Sequence, residues 1–236
     1  PNAIDVTFVK QNETAIDAFT FGNKELSGFW YGKFEVGGTL ASSCTNETCN
    51  VSNIVVKPNM TSLRSQKVSS YFFASRSMEQ PNNSFGFINS EVDTHMSKNN
   101  EWGAVAYLTH SIYGRCTDST TCTEVGINNN GSYITGYGAP AGSKYNDTNG
   151  VYNTSLGKDA STTKNIYGIY DMSGGAYEYV MGVYNKAIGY SGFSSLPDTK
   201  YYNNYTGSSY TGHALDETAG WYSDDAYFPN MSVSWF

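Results

Sequence analysis

The rhythm of apolar and polar positions changes several times along the chain. Residues 27–37, SGFWYGKFEVG, alternate and predict a strand. Residues 51–57, VSNIVVK, predict a second. In 69–80, SSYFFASRSMEQ, residues Tyr71, Phe72, Ala74, Ser75 and Met78 fall near one helical stripe, with Ser69 placed to cap it. The strongest helical pattern is 98–112, KNNEWGAVAYLTHSI. There Trp102, Val105, Ala106, Leu108 and Ile112 recur every three or four positions. Asn99 or Asn100 can cap its start, and Gly114 can stop it.

Beyond that helix the periodicity fades. Residues 115–165 are rich in Gly, Asn, Ser and Thr, and residues 185–216 add Tyr to the same mixture. No shift of composition marks a linker. The pattern predicts one irregular α+β domain with short helices, short strands and long ordered loops. Residues 1–17 are expected to form an N-terminal segment and 18–236 the domain. Loops that long in a compact unit are usually functional or need an extra fastener.

Composition narrows the class. Charged residues are only 15% of the 236, against roughly 25% in an average globular protein. The net charge is -7, which argues against a general nucleic-acid binder, because such proteins cluster Lys and Arg against phosphates. No apolar run is long enough to span a bilayer. Tyr is abundant, at 20 residues. The stretch 201–212, YYNNYTGSSYTG, has the composition of antibody binding loops, in which Tyr offers a rigid contact and Ser, Gly and Asn adapt their hydrogen bonds. Tyr201, Tyr202, Tyr205 and Tyr210, with Tyr184 and Tyr190, are the candidate ligand-binding surface. Exposed rings would support recognition; buried rings would mean that they cover the core.

Four cysteines lie in two close pairs, Cys44 with Cys49 and Cys116 with Cys122. Each pair flanks a turn-like polar stretch, so two local disulfides are expected, and with them an extracytoplasmic location. A metal site is the weaker alternative, because the spacings are wide and no His is near in sequence. Asn-X-Ser/Thr sequons recur, for example at Asn46, Asn50, Asn59 and Asn153. They are glycan acceptors in a eukaryotic secreted protein, or the chance product of this composition.

Two segments carry a resemblance. The first runs from Asp93-Thr94-His95-Met96 to Asn100-Glu101-Trp102-Gly103-Ala104-Val105-Ala106-Tyr107. The second is Asn165-Ile166-Tyr167-Gly168-Ile169-Tyr170-Asp171-Met172-Ser173-Gly174-Gly175-Ala176-Tyr177-Glu178-Tyr179. Together they resemble the "LPTEAEWEYAA" and "N-x-x-G-L-x-D-M-x-G-N-V-W-E-W" segments of the formylglycine-generating-enzyme-like family, a branch of the C-type-lectin-like fold. SGFWYGKFEV resembles that family's opening strand, and Ala219-Gly220-Trp221-Tyr222-Ser223-Asp224 adds a further likeness. The resemblance covers roughly residues 18–236. It extends to surface or phage-encoded proteins that use this fold to display a ligand-binding face.

The resemblance implies a structural Ca²⁺ ion. Asp171 and Glu178 would give carboxylate oxygens, and Gly174 and Ala176 backbone carbonyls. Ca²⁺ takes six to eight oxygen ligands, and a Gly-rich turn lets carbonyls point inward between two acids. Gly175 and Tyr177 depart from the family's Asn and Trp. The alternative is a tight turn in which Asp171 and Glu178 hold backbone amides.

The family's oxidase members place two cysteines near the C-terminus, and none of the four here matches that region. His95, His110 and His213 stand in no known catalytic spacing. Tyr222, Asp224 and Asp225 form only a small acidic cluster. No hydrolase, metalloprotease or phosphate-loop motif occurs. The expectation is therefore a non-catalytic extracytoplasmic domain that binds a protein or glycan ligand. The alternative is a structural subunit of a filament or virion that associates with itself, with strands after Trp235 supplied from elsewhere. A degenerate oxidase ranks third.

Overall fold

The structure is a computed structural model, and it describes residues 17–41, 44–81, 83–111, 113–117, 121–144 and 149–205. The four sheets of named strands are all two-stranded. Strand β1 (Thr20–Phe21) pairs with β2 (Lys24–Glu25), and β3 (Gly37–Gly38) with β4 (Ile54–Val55), both antiparallel. Strand β5 (Tyr137–Gly138) pairs antiparallel with β6 (Gly150–Val151), and β7 (Gly182–Tyr184) runs parallel to β8 (Asn203–Tyr205). The helices are α1 (Val68–Ser77), α2 (Asn99–Tyr107) and the single turn α3 (Ser155–Lys158). The mixed α+β class with short elements is as the sequence predicted.

The expected strand 27–37 is instead an extended segment, with only Gly37 in a strand. Its backbone groups are taken by separate stretches of chain, not by one neighbour. Tyr170 N–H donates to the Lys33 carbonyl at 2.9 Å, and Leu63 N–H to the Val36 carbonyl at 2.7 Å. Side-chain alternation survives without a ladder. Phe29 and Tyr31 pack inward against Val105, Ala106 and Met172, while Trp30 between them is fully exposed. The second expected strand shrinks to Ile54–Val55.

Both expected helices form, but their starts differ from the prediction. Ser69 does not cap α1. It lies in the first turn, where its N–H donates to the Ser191 carbonyl at 3.0 Å. Neither Asn99 nor Asn100 caps α2. The Lys98 N–H is accepted by the Glu101 carboxylate at 2.8 Å, and the Asn100 N–H by the Asn203 side chain at 3.0 Å. Thus a residue a hundred positions away satisfies a donor that every helix start leaves open. Helix α2 runs into a 3₁₀ turn, Leu108–His110. Gly114 follows because the chain crosses the Leu108 carbonyl there. A Cβ at 114 would lie 1.9 Å from that oxygen.

The main core gathers Val68, Phe72, Met96, Met181, Val183 and Phe193 with Tyr201 and Tyr202. On the other side of α1, Ala74 joins Cys44, Val51 and Ile54 in a second cluster. One helix therefore closes two small cores. Its charged edge is locked as well: Arg76 pairs with the buried Glu79 at 2.9 Å and with Asp93, and lies 4.8 Å over the Tyr201 ring. Lys200 and the Tyr201 hydroxyl also donate to Asp93, at 2.7 and 2.9 Å. The disulfides Cys44–Cys49 and Cys116–Cys122 close as expected. Among the described residues no helix is long and apolar enough to cross a membrane.

Phe72 is 1% exposed and meets Phe73, Phe193 and Tyr201 with ring centroids 5.4 to 5.5 Å apart. Phe72→Ala should lower unfolding free energy by about 3–5 kcal/mol, read as a fall in denaturant midpoint at constant slope. A loss under about 1 kcal/mol would show that α1 is not the keystone of this core.

Candidate functional site: a carboxylate centre

The residues expected to hold calcium meet at one place, and a third acid that the sequence reading passed over lies among them. Asp171 is fully buried and adopts a positive φ of 67°, which turns the chain sharply after Tyr170. Its Oδ1 accepts the Asn128 side-chain amide at 2.8 Å and its Oδ2 the Gly136 N–H at 2.9 Å. Asn128 also receives the turn from the other side. Its N–H donates to the Ser173 carbonyl, and its carbonyl accepts the Gly175 N–H at 2.7 Å. Gly174 is required there, because a Cβ would stand 2.4 Å from the Asn128 carbonyl oxygen.

Glu35 enters from the extended segment. Its carboxylate accepts the Ser62 hydroxyl and the Ala176 N–H, the latter at 3.0 Å. Ala176 thus serves through its N–H, not through the carbonyl expected to face an ion. Gly175 suits its place because the backbone there has a φ of +72°, and a Cβ would in addition sit 2.7 Å from Glu35 Oε1. Glu178 accepts the Trp102 indole N–H at 2.5 Å and so ties the turn to α2.

Three carboxylates close together repel one another. Among the described residues none of them pairs with a Lys, Arg or His. Burial, followed by the charges of Glu178 and Asp171, pushes Glu35 up to about 9 despite its two hydrogen bonds. Burial raises Asp171 to about 6 against the pull of its Gly136 and Asn128 donors. Glu178 is exposed as a residue, yet protein atoms crowd its carboxylate. That desolvation, with the Asp171 charge, drives its pKa upward against the Trp102 bond. Solvent on its open side moderates the rise. Burial and the Glu178 charge likewise raise Tyr31.

The donor set fits calcium poorly as it stands. Asp171 faces N–H donors, Ala176 presents an N–H, and Glu35 fills the space beside Gly175. Asp171 and Glu35 each hold a backbone amide, those of Gly136 and Ala176, whereas Glu178 holds the Trp102 indole and not the backbone amide expected in the alternative. A calcium ion would need this turn to reopen.

The expected tyrosine surface divides. Tyr201 and Tyr202 are buried, at 5% and 7% exposure, and belong to the core. The Tyr201 hydroxyl is spent on Asp93, which is what allows a phenol into that position. Tyr205 pairs through its backbone in β8; its side chain, the Tyr184 side chain and Tyr210 lie outside the described residues, as do Tyr222, Asp224, Asp225 and His213. Tyr190, expected on that surface, does face solvent, and rings outside the expected set join it. Trp30, Tyr177 and Tyr190 are 101%, 91% and 93% exposed, and Tyr167 also faces solvent. His95 stacks on Phe21 at 4.8 Å and uses both ring nitrogens, on the Asp93 carbonyl and on Glu101, so it is a packing residue. The His110 side chain lies outside the description.

Fold and site together define a mixed α+β module whose loops are fastened by hydrogen-bonded carboxylates, of which Asp171 is fully buried. No family model matches the chain, and no curated protein or solved structure matches it either.

A carboxyl group whose pKa is raised by folding favours the folded state when protonated. For Glu35 that stabilisation is complete below its ordinary 4.5 and is lost as pH rises through about 9. The melting temperature should therefore fall across this window, and Glu35→Gln should flatten the slope while keeping an acceptor for Ala176 N–H. Thermal melts at intervals from pH 5 to 9 decide it; equal slopes in both proteins would remove Glu35 as the source. The same assay tests calcium. Neither Ca²⁺ nor chelator should move the melting temperature. A calcium-dependent rise that is lost in Glu178→Gln would show that the turn does reopen around an ion.

Proposed function

We propose that this chain is a non-catalytic, extracytoplasmic binding or adhesion domain that recognises a protein or glycan ligand. The formylglycine-generating-enzyme-like form of the C-type-lectin-like fold is the scaffold proposed for it, on the motif resemblance. The observation that carries the reading is the outward display of Trp30, Tyr167, Tyr177 and Tyr190. Aromatic rings are expensive to leave in water and are over-represented where partners dock. Tyr177 sits one residue from Glu178, so the carboxylate centre holds the very turn that presents it. Two disulfides fit an oxidising location.

The carboxylates support binding over catalysis in this reading because Asp171, Glu35 and Glu178 are all engaged with protein donors. They act as fasteners. Self-association into a filament is the second reading, and the same exposed rings favour it.

Immobilised protein should capture a ligand from an array of extracellular glycans and proteins. Tyr177→Ser and Trp30→Ser should each weaken capture about tenfold or more, the ordinary effect of deleting an aromatic hot spot, with the melting temperature unchanged. Polymerisation in light scattering, abolished by the same variants, would favour the filament reading. A monomer whose capture ignores both variants would overturn the role given to these rings.

A further inference from the structure

A cleft of about 570 Å³ lies between the loop closed by Cys44–Cys49 and the turn that follows α1. Its volume is within the range of about 300–1,000 Å³ typical of small-molecule sites. Both walls are pinned to the end of α1. On one side, Ser77 Oγ lies 3.4 Å from Cys49 Sγ, and Arg76 pairs with Glu47. On the other, Asn83 saturates its own amide. Its oxygen accepts the Phe85 and Gly86 N–H groups, and its nitrogen donates to the Gln80 and Phe87 carbonyls. These bonds anchor both walls of the cleft to the end of α1.

Its chemistry is unusual for an acidic protein, since no lining residue carries a charge. The polar groups are neutral hydroxyls and amides. Among the described residues, the side chains of Gln80, Ser52 and Ser84 have no hydrogen-bond partner, and Asn50 uses only its oxygen, on the Ser52 N–H. These groups offer donors and acceptors together but no ion pair. They would pay a desolvation penalty on meeting an apolar ligand and could not neutralise a phosphate or carboxylate. Val51 and Pro81 add apolar patches.

We infer that this cleft is a subsite for a neutral saccharide, whose hydroxyls meet Gln80, Asn50, Ser52 and Ser84 and whose C–H face meets the apolar patches. Alternating hydroxyls and C–H faces are what uncharged amide and hydroxyl groups beside apolar carbon complement best. This inference rests on the binding-module reading and chooses the glycan over the protein ligand. It moves the site away from the tyrosine stretch at 201–212.

Ligand-observed saturation-transfer NMR tests it with methyl α-mannoside, methyl β-galactoside and methyl N-acetyl-β-glucosaminide, with glucuronate as the charged comparison. At least one neutral glycoside should bind, and glucuronate should not. The double variant Q80A/S52A should weaken binding at least fivefold, and Ser84→Tyr, which fills the cleft without touching the core, should abolish it. Tyr177→Ser should leave it unchanged. Folded protein that binds none of the neutral glycosides overturns the inference, as does binding that the cleft variants do not alter, or glucuronate bound as well as they are. If capture from the array depends on Trp30 or Tyr177 but not on the cleft, the binding-module reading stands and the saccharide subsite falls.

Discussion

The interaction on which the rest depends is the grip of the Glu35 carboxylate on the Ala176 N–H and the Ser62 hydroxyl. It adds the turn at Ala176 to two stretches that the antiparallel bridge between Gly37 and Ser62 already brings together. Asp171, with Asn128 and Gly136, repeats the device one turn away, and Glu178 carries it on to Trp102 and α2. A fold with two-stranded sheets has few ladders to position its loops. Its backbone donors must find acceptors elsewhere, because an unmet buried N–H costs about 1–3 kcal/mol. Buried carboxylates accept several at once. Burial and their mutual repulsion raise their affinity for protons, since among the described residues none of them pairs with a Lys, Arg or His.

Elsewhere the same shortage of regular structure is met by other means. Helix α1 serves two cores, with Phe72 in one and Ala74 in the other. The Arg76, Glu79, Asp93 and Lys200 network brings the chain around 198–201 down onto that helix. Within it, hydrogen bonds and charge from Lys200, Tyr201 and Arg76 outweigh burial and hold Asp93 below its ordinary value. Here charges are compensated, whereas in the Glu35 centre they are not. The two centres therefore answer pH in opposite directions.

Function in this picture is a matter of what the fasteners leave outside. The turn that ends in Glu178 is held from beneath, and Tyr177 projects from it. The Cys44–Cys49 loop is held by α1, and a neutral cleft opens beside it. In the binding reading proposed above, anchoring of this kind would lower the entropic cost of meeting a ligand.

Much of this was legible in the residues alone. Apolar spacing located α1 and α2, because helical periodicity reports one buried face whatever lies against it. Close cysteine pairs foretold local disulfides, since a short loop keeps its ends together in any fold. Gly174 and Asp171 marked a special turn. What the sequence could not show was which group answers which across long separations. Glu35 and Ala176 are 141 positions apart, and Asn100 and Asn203 are 103 apart. Nothing local distinguishes Glu35 from a solvated strand acid, or an interior Tyr201 from an exposed Tyr177. A phenol enters a core only if its hydroxyl finds a partner, and Asp93 was placed there by tertiary structure alone. Composition and periodicity determined the class of fold and its helices; the pairing of distant polar groups decided which acids are buried and which rings face water.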